Sequence, residues 1–149
     1  MGPLLLSLLL GAAVVHVAAP RPGRPSATVA SVVASSYAVD FRLELAGGLG
    51  TLRTLTGPGL AVGVEGGLPA QPLGPLRVRI AIPSCARLPR ALESGAARST
   101  ARLLDVSGRD RAARTVTLRV SARAAPQLYA AIRALAGRVC PAGSYRLPG

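Results

Sequence analysis

Few residues in this chain could do chemistry, and their spacing removes most of the reactions they could support. The lone histidine, His16, lies inside the apolar run Leu4–Ala19. No imidazole therefore stands elsewhere to activate a serine or cysteine nucleophile. Only six carboxylates are present. Asp40 and Glu44 share one face of a strand-like segment, about 13 Å apart at the rise of an extended chain. That is too far for a glycosidase-type acid–base pair, and Arg42 stands between them as a charge partner. Glu65, Glu93, Asp105 and Asp110 are scattered with no recognisable spacing. "GPGLAVG", residues 57–63, resembles the start of a phosphate-binding loop, but a strand-like "LAVGV" follows it where a helix should open, so its glycines read as turn residues. The expectation is a chain that is not an enzyme, with no metal and no cofactor.

Cys85 and Cys140 are the only cysteines. A pair so far apart is not a CxxC redox site, and without further ligands it is not a zinc site. Cys85 follows the alternating strand "LRVRIA", and Cys140 ends a segment of helical periodicity. In an exported domain that combination reads as a disulfide. The alternative is two unrelated buried thiols, which an oxidising compartment disfavours.

The remaining chemistry is cationic. All 18 basic residues are arginine, and the formal net charge is +12. The absence of Lys, Asn and Trp points to a GC-rich genome, in which Arg stands where other genomes place Lys. Arg42, Arg53, Arg77, Arg79 and Arg119 occupy outward positions on strand-like segments. If those strands are neighbours in one sheet, they make a basic binding face. The compartment favours an anionic envelope polymer or lipid headgroup as its partner. Nucleic acid is disfavoured because the aromatics number four, too few for stacking. The plainer alternative is a solvated surface written in arginine.

These residues must be positioned by short strands. "YAVDFRLEL" alternates strictly, with Tyr37, Val39, Phe41, Leu43 and Leu45 on one face and Asp40, Arg42 and Glu44 on the other. "TLRTLT", "LAVGV" and "LRVRIAI" follow, separated by Gly- and Pro-rich turns. "ARLLDV" and "RTVTLRV" read as a hairpin around "SGRD", with Val116, Leu118 and Val120 inward. "ESGAARS" reads as an exposed loop. In "APQLYAAIRALAGRVC", Leu128, Ile132, Leu135 and Val139 recur at helical spacing, with Pro126 in the first turn and Gly137 as the stop. The expected fold is mainly β, an antiparallel sandwich or barrel of about seven strands with one C-terminal α-helix, covering residues 28–149.

Ahead of it stand a Pro/Gly/Arg linker, residues 21–27, and a hydrophobic helix within residues 1–20. The sixteen residues Leu4–Ala19 suit a signal peptide, or an anchor, better than a buried helix. No basic residue precedes Arg21, so a start further upstream is one reading of the leader. The expected location is the extracellular side of the cell membrane, or the medium.

"LRVRIAIPSCARLPR", "LLDVSGRD", a "TVTLRV" strand and a helix ending in "RVC" together resemble a group of exported or membrane-anchored small all-β proteins of actinobacteria. The likeness spans roughly residues 30–142. It implies an immunoglobulin-like domain behind one N-terminal membrane segment, with Cys85 paired to the terminal Cys140. Ser84 stands where that group often has Asp. No activity comes with the resemblance. The functional expectation is a non-catalytic, exported or membrane-tethered binding or structural domain of the cell envelope. The alternative is a cationic module for anionic envelope polymers, lipid headgroups or nucleic acid.

Overall fold

A computed structural model describes residues 24–92 and 100–140. The leader, the first residues of the linker and the "ESGAARS" loop lie outside the described residues. Among the described residues there are seven strands: β1 (Ser26–Ala34), β2 (Val39–Ala46), β3 (Leu49–Thr56), β4 (Ala61–Val64), β5 (Leu76–Ala81), β6 (Arg102–Asp110) and β7 (Thr115–Ser121). One helix, α1 (Pro126–Val139), follows them. The strands form two antiparallel sheets, a four-stranded one in the order β1-β2-β5-β4 and a three-stranded one in the order β3-β6-β7. The chain enters β1 at Ser26, two residues before the expected domain start.

Alternation explains the central strands. Val39, Phe41 and Leu43 of β2 are buried, and Val78 and Ile80 of β5 lie beside them. Both strands therefore give one face to the core and leave arginines and carboxylates on the other. Tyr37 departs from the expected pattern. It lies before β2, in the Ser35–Ala38 turn, and is 69% exposed. The Ser35 hydroxyl and the Ala38 amide and carbonyl close that turn, so alternation begins only after it.

Bulges account for the irregular strands. Leu103 is an extra residue in β6 against β7, so both Leu103 and Leu104 turn inward and are fully buried. Arg53 is likewise extra in β3, and the shift in β1 falls between Ala30 and Val33, with Ser31 at φ 54°. Such insertions bend a strand and re-aim its side chains. The β6–β7 turn also differs from expectation. "SGRD" belongs to β6, and the turn is Arg111–Arg114. Asp110 Oδ1 accepts hydrogen bonds from the Ala112 and Arg114 amides at 2.9 Å each, which fixes the turn after Asp110. Val120 of β7 is buried, but Val116 and Leu118 are only half-buried.

Helix α1 starts at Pro126, where no amide is needed. Its Leu128, Ile132 and Leu135 are fully buried in the core that both sheets share, each contributing roughly 1.5–3 kcal/mol by burial. Gly137 does not stop the helix. It is exposed, and the Cys140 amide donates to the Ala136 carbonyl at 2.8 Å one turn on. Cys140 is disulfide-bonded to Cys85, with Cα atoms 5.6 Å apart. The crosslink joins the helix terminus to the 3-10 turn Cys85–Arg87 that follows β5. No helix of the described residues is long and apolar enough to cross a membrane.

Candidate binding groove on the four-stranded sheet

The outward face of the four-stranded sheet is laid out by its register. One row across the strands reads Val33, Asp40, Arg79, Gly63, and the next reads Ala30, Arg42, Arg77. Glu65 closes the second row, since its amide donates to the Arg77 carbonyl at 2.9 Å. A groove of about 670 Å³ runs over these rows, lined by Ser31, Val33, Asp40, Arg42, Gly63 and Glu65 together with Arg77 and Arg79. Two backbone features open it. Gly63 places no side chain in the row of Arg79, and the Ser31 bulge turns the edge strand aside at Val33, which is 62% exposed.

Charge on this face is paired across strands. Arg79 grips Asp40 with two hydrogen bonds, Nε to Oδ1 at 2.7 Å and Nη2 to Oδ2 at 3.2 Å. That contact holds the Asp40 carboxyl below its usual value, burial opposing it slightly. It also holds Arg79 more firmly protonated, and Tyr37 lies within electrostatic reach of the same guanidinium. Arg77 Nε approaches Glu65 at 3.7 Å. Arg42 forms no ion pair among the described residues, and it stands directly across from Arg77. Like charges placed so destabilise a ladder, and a carboxylate arriving between them removes the repulsion.

The expected basic face divides in two. Arg42, Arg77 and Arg79 come together here, whereas Arg53 and Arg119 belong to the other sheet, on β3 and β7, with β6 between those strands. The supposition that the four strands carrying these five arginines are neighbours in one sheet does not hold. Arg119 and Arg102 both face Asp105, at 3.9 and 3.2 Å. The Leu103 bulge is what puts Arg102 and Asp105 on one side. Asp40 also pairs with Arg79 across the ladder instead of Arg42 on its own strand.

Val33 escaped the sequence reading, which placed Tyr37 on the inward face and took Gly63 for a turn residue, whereas Tyr37 is exposed and Gly63 lies inside β4. A glycine within the strand-like "LAVGV" is the one signal that could have marked the groove, since strand glycines accompany close approach. Among the described residues no three of His, Cys, Asp and Glu gather as metal ligands do. No known protein family, curated protein or solved structure matches this chain. The groove's own chemistry is what remains: arginines half-neutralised by carboxylates, with an exposed tyrosine and valine beside them.

Proposed function

We propose that this chain is a non-catalytic, exported domain of the cell envelope, tethered or secreted, that binds another envelope protein through the groove on its four-stranded sheet. The observation carrying the reading is the groove, where Arg42, Arg77 and Arg79 sit beside exposed Val33, with exposed Tyr37 outside its lining but within electrostatic reach of Arg79. Arginine and tyrosine beside apolar surface dominate the energetics of protein interfaces. The charge balance favours a protein over a polyanion. Asp40 and Glu65 offset two of the three arginines, so a uniformly charged polymer gains little here. A segment with one carboxylate among apolar residues complements the face better.

Export is supported by the Cys85–Cys140 disulfide, a bond that persists in oxidising compartments, and by the apolar run Leu4–Ala19. The resemblance to exported actinobacterial proteins agrees with both. An immunoglobulin-like sandwich is supported by strand order. Lettered A to G, the strands pair as A-B-E-D and C-F-G, the constant-type arrangement. The crosslink here ties a loop to the terminal helix, whereas antibody domains bridge their two sheets.

The test places a photo-crosslinking residue at Val33, in the cells that make the protein. The expected result is one envelope protein crosslinked, its adduct lost when Arg42→Glu is added, and an unreduced chain two mass units lighter than the reduced one. No adduct, or a cytosolic chain with free thiols, overturns the proposal.

A further inference from the structure

Four segments meet at the end of the domain opposite the disulfide. The chain enters there at Arg24, whose carbonyl packs against Gly47 of the β2–β3 turn. Leu49, just past that turn, pairs with Asp110, so the Arg111–Arg114 turn lies at the same end. Leu76 pairs with Leu43 and Val78 with Val64, which brings the β4–β5 connection there as well. The far end holds the Ser35–Ala38 turn, the C-terminus of α1 and the crosslink, because Arg138 Nη2 donates to the Ser35 carbonyl at 2.8 Å.

The near end has an unusual surface. Arg24, Arg109, Arg111 and Arg114 are all exposed there, and none forms an ion pair among the described residues. The carboxylates toward this end are Glu44, Glu65, which faces Arg77, and Asp110, which is engaged by two backbone amides. The connection Gly66–Pro75 carries no charge at all. Past Ala70, which pairs antiparallel with Leu52, it runs back toward this end and presents Leu73, 92% exposed. Reciprocal Leu52–Ala70 backbone hydrogen bonds at 2.8 and 2.9 Å hold that loop in place. Cations at the same end of the domain as an apolar protrusion match an anionic bilayer, with arginines at the phosphates and a leucine at the acyl boundary.

The leader points to the same occupant. From Ala19 to Arg24 is five residues, a reach of about 18 Å even when fully extended. If the leader is retained in the membrane, the end that carries Arg24 cannot leave the headgroup region by more than that. We infer that this end docks on anionic lipid headgroups, Arg24, Arg109, Arg111 and Arg114 binding phosphates while Leu73 enters the interface. The inference rests on the tethered form of the reading above.

The chain has no tryptophan, so Leu73→Trp supplies a single reporter at an exposed site. The full chain carrying it is reconstituted into phosphatidylcholine vesicles with and without 30% phosphatidylglycerol, some containing brominated lipid. The expected result is a blue-shifted, bromolipid-quenched indole in the anionic vesicles. Arg109→Gln, Arg111→Gln and Arg114→Gln together should lower the docked-to-undocked ratio on the order of 100-fold, and 0.5 M salt should act the same way. Tyr37→Trp, at the far end, should stay unquenched. A chain that floats with both vesicles while the Leu73→Trp indole stays in water overturns the docking alone. Equal quenching at Leu73→Trp and Tyr37→Trp overturns it too. A chain that floats with neither vesicle overturns the tether, and the docking with it.

Discussion

Breaking the Cys85–Cys140 bond is the perturbation whose size follows most directly from the structure. The two residues are 55 positions apart, so the bond closes more than a third of the chain into one loop in the unfolded state. In the chain-entropy treatment a loop of that length removes about 14 cal/mol/K, or about 4 kcal/mol at 25 °C. On reduction the two thiols must part to van der Waals distance; Cys140 is buried at 1% exposure but Cys85 is only half-buried and can give way, so native packing adds little to the difference. For a domain of this size 4 kcal/mol is a lowering of Tm by about 15 °C. The assay is urea unfolding of the oxidised chain, the same chain with reductant, and Cys85→Ala/Cys140→Ala. Reduction and substitution should agree within about 1 kcal/mol, and the urea slope should rise because the open chain exposes more surface. A loss under 1 kcal/mol in the reduced chain refutes the reasoning. It would mean that the helix and the 85–92 segment already confine each other in the unfolded ensemble.

Two further changes test other parts of the fold. Gly108 is buried, and a Cβ there would collide with the Thr51 carbonyl on the neighbouring strand. Gly108→Ala should therefore cost about 1–3 kcal/mol, read as a lower urea midpoint, while Gly63→Ala, which meets nothing within 4 Å, should be nearly neutral. Asp40 has its carboxyl lowered by Arg79, so its share of stability is present above the unfolded value and is lost as pH falls through the folded one. That window lies below pH about 4. The pair is largely exposed, so the share is about 0.2–1 kcal/mol. Asp40→Asn should remove that acid-side dependence, and an unchanged acid limb would count against the pairing.

The sequence was most legible where one physical rule acted alone. Alternation in residues 39–45 located β2 because one face is buried and the other solvated. Helical spacing located Leu128, Ile132 and Leu135 for the same reason. Misreadings fell where a local hydrogen bond overrode the pattern. Asp110 moved the β6–β7 turn past "SGRD", and the Ser35 turn removed Tyr37 from the inward face. Gly137 was read as a stop, yet the backbone continued to Val139 and the crosslinked Cys140. The candidate site was half legible. Outward arginines are visible from alternation, but which of them share a sheet depends on strand order, and order is a property of pairings between residues far apart in the chain. Arg42 and Arg77 are a pair that only topology makes.

The positions of the crosslink, the groove and the chain entry bear on one another. The disulfide and the Arg138–Ser35 contact fasten the end of the domain that holds α1. The groove crosses the middle of the four-stranded sheet, and the arginine and leucine surface occupies the end where the leader joins. A domain held to a bilayer at that end has its strands rising from the surface, which turns the groove sideways along the membrane plane instead of toward the medium. On the function proposed above, the partner would be another envelope protein standing beside it, reached by diffusion in two dimensions. A modest affinity suffices there, because the tether raises the effective concentration. The charge arrangement suits that proposal: arginines with no ion pair among the described residues sit at the end proposed to meet lipid, where binding would be sequence-blind, and balanced charge sits in the groove, where a partner would have to be distinguished.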